Sequence, residues 1–323
     1  MSLQYFREKL SLLDKQIYDH IFKALVNRKL NCTVPKFTNQ AHLEQILNYI
    51  LQDNPSIFYI QSYQLKFGFG ISEILPIYTL SGNMIELISK ECEQRARSIA
   101  YRVRKANPYD TLICLHDEIV KTITYRSDGT QESHSIVAPL TGLYGVCEGF
   151  AKTIKYILDI IDIPCIVVKG NANDPVSKMS MNHAWNMVKI NGEWYHFDVT
   201  FDTTIRSGNL IRYDYFALPN KEILNDHNYN EADYPFANNI SNEYYTKNNL
   251  LMVTRKQMTD YIGKCLRNNI NEFIVKLPSE VSNASLDQKV LAVAMSYLTS
   301  NNCGGMVQIS SNLNQRVFQI SIT

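Results

Sequence analysis

No apolar run in the 323 residues approaches the length of about 20 that a membrane-spanning helix needs, so no such helix is expected. The opening MSLQYFREKLSLLDKQ lacks the apolar core of a signal peptide. Compartment therefore stays open: cytoplasmic as the chain stands, or exported if a targeting segment was removed. An excess of one charge is missing too. Lys plus Arg number 32 and Asp plus Glu 31, for a net charge of +1, with no basic stripe or acidic tail. Nucleic acid is a poor partner on those terms. Cysteine occurs at positions 32, 92, 114, 147, 165, 265 and 303, an odd number at wide spacing without a CxxC pair. This argues against a disulfide framework or zinc ribbon and for reduced thiols. Internal repeats, low-complexity tracts and a calcium-ligand cluster are absent as well. The 20 tyrosines form no platform for stacking bases and read as half-buried strand residues or cleft lining. What is present is an ordinary globular composition, 45% apolar and 20% charged, in a chain long enough for two or three domains.

The chain reads in three parts. Residues 1–108 form a mixed helix and strand region. REKLSLLDKQIYDHIFKAL has helical spacing, TNQAHLEQILNYILQDNP opens on a Thr cap, IFYIQSYQLKFGF and ILPIYTL read as strands, and a long helix from Met84 stops at Asn107-Pro108. Residues 109–235 carry a helix, a polar loop RSDGTQESH, a second helix after GVCEGF, the strand CIVVKG, a polar loop from Asn171 to Asn182, and a pair of strands ending near DVTFD. A polar stretch then leads to residues 250–323, which read helix, strand, helix, strand, strand: a small α+β unit.

Cys147 stands at the doorstep of the second helix. Phe150, Ile154, Ile157, Leu158 and Ile161 fall on one face that buries itself. A helix start offers unpaired N–H groups and partial positive charge, which favour thiolate over thiol and are suited to an oxyanion. Gly145 and Gly149 flank the cysteine without side chains that would obstruct a substrate. A cysteine in an apolar context is also an ordinary core residue, so a nucleophile needs a base and a group to orient the base.

NHAWNMVKINGEWYHFDVTFD, residues 182–202, supplies candidates. Asn191-Gly192 between two strand-like runs signals a two-residue hairpin, which sets Ile190 opposite Glu193. In that register His183, Trp185, Asp198 and Thr200 share one face, with Asp198 diagonal to His183. His196 lies on the same face as an alternative partner for Asp198, and a bulge would change the parity.

GVCEGFA, NHAWNMVKINGEWYHFDVTFD and the later RYDYFAL resemble the transglutaminase-like superfamily, above all its bacterial, cysteine-peptidase-like members. The resemblance covers about residues 109–230. It implies an α+β fold with a papain-like core, a helix packed on an antiparallel sheet, here with flanking α/β segments. It implies further that Cys147 is the nucleophile, His183 the general base and acid, and Asp198 the orienting carboxylate. Tyr144, Glu148 and Trp185 become candidates for the substrate cleft, and the Asn171–Asn182 loop for its rim. Glu148 stands where eukaryotic transglutaminases have Trp, which points away from crosslinking. Val137 stands where relatives often have a Tyr, and Phe201 where they often have Trp. The implied activity is thiol-dependent acyl transfer on a peptide or amide bond, with a peptide or protein as partner and no metal or cofactor. A transglutaminase or transpeptidase, or a non-catalytic scaffold, are the alternatives, and oligomeric state stays open.

Overall fold

A computed structural model describes residues 3–35, 39–68, 70–206, 210–279, 281 and 285–323. The chain divides into two compact units, Met1–Lys169 with His183–Asn191, and Gly170–Asn182 with Gly192–Thr323. The architecture is α+β, with mixed helices and antiparallel sheets. Among the described residues no helix is long and apolar enough to cross a membrane.

The first unit opens with α1 (Tyr5–Lys9) and α2 (Leu12–Val26). One continuous helix was expected here. Leu10 is extended instead, and the Ser11 side chain accepts from the Asp14 N–H to start α2 afresh. Next come β1 (Cys32–Pro35), α3 (Gln40–Asp53), β2 (Ile60–Phe67) and β3 (Ile71–Tyr78). Thr38, expected to cap α3, lies outside the described residues; the Asn39 side chain accepts from the His42 N–H. The strands form an antiparallel sheet in the order β1-β3-β2, with Cys32 opposite Ile74. Leu43, Ile46, Leu47 and Ile50 bury one face of α3. At its end Asp53 accepts from the Phe6 and Arg7 N–H groups at 3.2 and 3.0 Å and from Tyr18 Oη at 3.1 Å, tying α1 and α2 to α3.

Helix α4 (Gly82–Val103) packs on α5 (Pro108–Thr122). Asn107-Pro108 starts a helix rather than ending one: α4 stops at Val103, Asn107 caps α5 through the Asp110 N–H, and Pro108 takes the first helical position, where a missing N–H costs nothing. A short parallel pair, β4 (Thr124–Tyr125) with β5 (Tyr144–Gly145), brackets the 126–143 segment. Helix α6 (Cys147–Ile160) packs on α4. Strands β6 (Cys165–Asn173) and β7 (Ser180–Ile190) follow.

In the second unit β8 (Glu193–Phe197), α7 (Val199–Thr204), β9 (Phe216–Leu218), α8 (Asn220–Ile223), β10 (His227–Asn228) and α9 (Tyr244–Lys247) precede the carboxyl-terminal segment. The stretch after Pro219 is no simple connection. It buries Asn220, Ile223, Asp226, His227, Asn242, Glu243 and Tyr245. β10 pairs antiparallel with the far end of β6, His227 opposite Ala172, and β8 pairs with β9. The polar loop expected over 171–182 is therefore half strand, at 171–173 and 180–182. Only 174–179 turns, closed by Asp174, whose side chain accepts from the Val176 and Ser177 N–H groups. The final elements are α10 (Arg255–Arg267), β11 (Glu272–Lys276), α11 (Leu286–Ser300), β12 (Val307–Asn312) and β13 (Val317–Ile322), in the order their pattern predicts. The sheet runs β11-β13-β12, all antiparallel, over a core that includes Met258, Ile262, Val275, Val290, Ala294 and Phe318.

Candidate active site

Cys147 is the first residue of α6, and Val146 before it is extended and offers no side-chain cap. The first-turn N–H groups are thus not consumed by a capping oxygen from that residue, and the helix start keeps its partial positive charge. The thiol is free and half-buried. Behind it Phe150, Ile154, Ile157 and Leu158 are buried as the spacing predicts, and Ala151 packs with Val167 of β6 and Ala184 of β7.

The glycines on either side are demanded by the packing. A Cβ on Gly149 would stand 2.3 Å from the Ser133 carbonyl oxygen and 3.1 Å from that of Ser135. On Gly145 it would stand 2.9 Å from Pro139 Cγ. The 133–139 segment lies directly on α6, held by the Val146 N–H donating to Ser133 O at 3.1 Å. That segment continues into a single π-helical turn, Ala138–Gly142, closed by Leu143 at φ 59°. Val137 leads into the turn, its N–H bonded to Ser135 Oγ.

Glu148, the next residue of α6, gathers charge. Lys152 Nζ at 3.0 Å, Lys169 Nζ at 3.1 Å and His134 Nδ1 at 3.3 Å surround its carboxylate. Burial pushes the carboxyl pKa up, but Lys152 and Lys169 outweigh it and hold it at about 2. Burial lowers that of Lys152 in turn, against the opposing pull of Glu148. Glu148, Lys152 and His134 line a pocket of about 410 Å³ with Phe58, Ile60 and Gln131. Cys147, Tyr144 and Trp185 are not among its lining residues. Tyr144 is half-buried on β5, with the Arg126 guanidinium 3.7 Å above its ring.

On β7 His183 is buried, and its ring stacks on Trp185 at 5.9 Å and 18°. Trp185 is itself only 1% exposed. Asn186, which the sequence reading did not single out, fixes the strand. Its Nδ2 donates to Ala151 O at 2.9 Å and stands 3.4 Å from both Cys165 Sγ and Ile166 O, joining α6, β6 and β7. A polar residue inside the apolar run HAWNMV was the available signal.

The hairpin turn forms as expected: β7 ends at Ile190, β8 starts at Glu193, and Asn191 and Gly192 have φ of 51° and 94°. The strand does not last to Asp198, however. β8 stops at Phe197, and Asp198 becomes the N-cap of α7, its Oδ1 accepting from the Thr200 and Phe201 N–H groups at 3.0 and 3.2 Å. Thr200 is helical, so the face-sharing argument, which needed strand geometry to Thr200, does not apply. The other oxygen, Oδ2, meets His227 Nε2 at 3.2 Å. His227, hidden in the polar stretch NDHNYNEADY, was missed; its second nitrogen meets Asp226 Oδ1 at 2.7 Å. Both ring nitrogens therefore face carboxylates. His196, the alternative partner for Asp198, has Nε2 against Asn220 Oδ1 and Tyr229 Oη, and burial lowers its pKa to about 3.

An α+β protein with a free thiol on the opening residue of a helix that packs against β-strands is the class these features define. Residues 97–199 match the family model of the transglutaminase-like superfamily, about a third of the chain. Among solved structures, a protein titled a TGase shares 13% identity and a TM-score of 0.32, covering 56% of this chain and 53% of that one. The match thus spans about half the length of that protein. A candidate cysteine protease from Cytophaga hutchinsonii shares 18% identity and a TM-score of 0.32, over 56% of this chain and 75% of that one. A candidate protease from Parabacteroides distasonis shares 12% and 0.26, over 42% and 35%. No curated protein matches the chain.

Proposed function

We propose that the protein is a thiol-dependent acyl-transfer enzyme acting on a peptide or amide bond, with Cys147 as nucleophile, His183 as general base and acid, and Asp198 as the carboxylate that orients the imidazole. The observation that carries this reading is the placement of Cys147 on the uncapped first residue of α6, in a segment that matches the transglutaminase-like superfamily. Sγ attacks the carbonyl carbon, and the first-turn N–H groups of α6 receive the oxyanion; one such donor is worth about 3 kcal/mol of transition-state stabilisation. The C–N bond breaks as His183 gives its proton to the departing amine, leaving a thioester on Cys147. Water, deprotonated by His183, then releases the acid and returns the thiol. An amine in place of water makes the same enzyme a transferase. Hydrolysis is the favoured course, since Glu148 rather than Trp follows the nucleophile.

The test is release of amine from a panel of quenched peptides and glutaminyl peptides, with and without an added primary amine. Wild-type turnover that vanishes in Cys147→Ala and His183→Ala supports the reading, and incorporation of the added amine would make the activity a transferase. Turnover that survives Cys147→Ala overturns it.

A further inference from the structure

The second unit contains a buried chain of polar side chains of which the proposed chemistry uses only the first, Asp198. It starts at Asp198. From Oδ2 it passes to His227 Nε2 at 3.2 Å and from Nδ1 to Asp226 Oδ1 at 2.7 Å. Asp226 Oδ2 accepts from Tyr215 Oη at 2.7 Å, and Gln315 Nε2 stands 3.1 and 3.2 Å from its two oxygens. Asn312 Nδ2 donates to Tyr215 Oη at 3.1 Å. The Asp198, Asp226 and His227 side chains have no exposed surface, and the Phe201 and Tyr215 rings lie 5.1 and 5.6 Å from the imidazole.

Two physical points make this chain hard to explain as packing. Burying two carboxylates and an imidazole is expensive, and apolar replacement of such groups is often neutral or stabilising. Geometry adds a second constraint. Both ring nitrogens of His227 are held, Nε2 at Asp198 Oδ2 and Nδ1 at Asp226 Oδ1. Asp226 is in turn saturated with donors from Tyr215 and Gln315, which leaves the ring one orientation and Asp198 Oδ2 one position. Oδ1 of the same carboxylate is pinned by the two N–H groups of α7. The last two members of the chain, Asn312 and Gln315, come from the end of β12 and the turn into β13. The carboxyl-terminal segment has its own apolar core.

We propose that His227 is a positioning residue for Asp198, and that the carboxyl-terminal α+β segment serves the thiol centre by holding this relay through Asn312 and Gln315. The proposal rests on Asp198 being the orienting carboxylate of that centre. It gives a role to a part of the chain that lies outside the family match, and it makes a polar turn more than 100 residues from Asp198 in sequence matter to reactivity.

The test is the alkylation rate of Cys147 by iodoacetamide at pH 7, read by peptide mapping, with exposed Cys303 as internal reference. His227→Gln places an amide N–H where Nε2 was and preserves the bond to Asp198. His227→Asn places it where Nδ1 was and abandons Asp198. The expected result is fast labelling in wild type, recovery of at least about half that rate in His227→Gln, and a loss of about ten- to a hundredfold in His227→Asn, the range that outer-shell partners of a functional histidine command. Cys303 labelling should stay unchanged throughout. If wild-type Cys147 labels no faster than Cys303, the thiol-centre reading falls and this proposal with it. If wild type is fast and both variants match it, or both lose rate equally, the positioning role alone is overturned. Should His227→Asn not fold, Asp226→Asn and Gln315→Ala test the same relay from its far end. A several-fold slowing at Cys147 with an unchanged Cys303 rate supports it, and unchanged Cys147 labelling in both refutes it.

Discussion

Gly149→Ala sets two opposing effects of known size against each other. Inside a helix alanine is favoured over glycine by about 1 kcal/mol, so on propensity alone the change should stabilise α6. The new methyl, however, would stand 2.3 Å from the Ser133 carbonyl oxygen, 3.1 Å from Ser135 O and 3.3 Å from Pro139 Cγ. The two oxygens are backbone atoms and cannot rotate away. Relief requires the 133–139 segment to lift off α6, stretching the bond from the Val146 N–H to Ser133 O. A lost buried hydrogen bond and an overpacked contact each cost about 1–3 kcal/mol. The net expectation is a destabilisation of about 2 kcal/mol, or a fall in melting temperature of roughly 3 °C for a chain of this size. Gly82→Ala is the control. It sits at the first position of α4, where the nearest atom to a new Cβ is the end of the Arg28 side chain at 3.8 Å, so it should be neutral or mildly stabilising. Urea unfolding of both variants decides. If Gly149→Ala behaves like Gly82→Ala, the close approach of the 133–139 segment is wrong.

Cys147→Ala should change stability by no more than about 0.5 kcal/mol, while Cys165→Ala should cost about 1–2 kcal/mol, because Cys165 is fully buried against Asn186; thermal melts of both compare them directly. Arg212→Met should cost about 3–5 kcal/mol in denaturant titration, since it strips Asp214 of a buried two-point ion pair at 3.0 and 2.6 Å. A loss under 1 kcal/mol would show that Asp214 finds other compensation. Burial raises the Asp53 carboxyl from its ordinary 3.8 to about 6, so its contribution to stability is full below about pH 4 and is lost as pH rises through 6. The stability gap between wild type and Asp53→Asn should therefore shrink by about 3 kcal/mol from below pH 4 to above pH 7, and a pH-independent gap would contradict the shift.

The α6 face, the Asn191-Gly192 turn and the order of the last five elements were legible because each rests on a local rule: helical period, a positive-φ dipeptide, alternation bounded by turn residues. Asn107-Pro108 misled because Asn and Pro punctuate a chain at both ends of helices; only the following Tyr-Asp-Thr, with Asp110 in the first turn, marks it as a start. Asp198 carried two compatible local signals, the end of an alternating strand and an Asp N-cap, and the cap prevailed. The 171–173 stretch looks like a loop from its asparagines. It is strand because Asn171 pairs with Asn228 and the Asn173 N–H bonds to Asp226 O, partners more than 50 residues away. His227 was invisible for the same reason, since its neighbours Asp198, Tyr215 and Phe201 are brought to it by the fold.

The claim that Cys147 is a nucleophile is tested most directly by trapping its acyl form. On mixing with p-nitrophenyl acetate at neutral pH, nitrophenol should appear in a burst of one equivalent, and peptide mapping after an acid quench should place the acetyl group on Cys147. His183→Ala should abolish both signals. A burst that persists in Cys147→Ala, or acetyl groups spread evenly over Cys114, Cys147 and Cys303, would contradict the account.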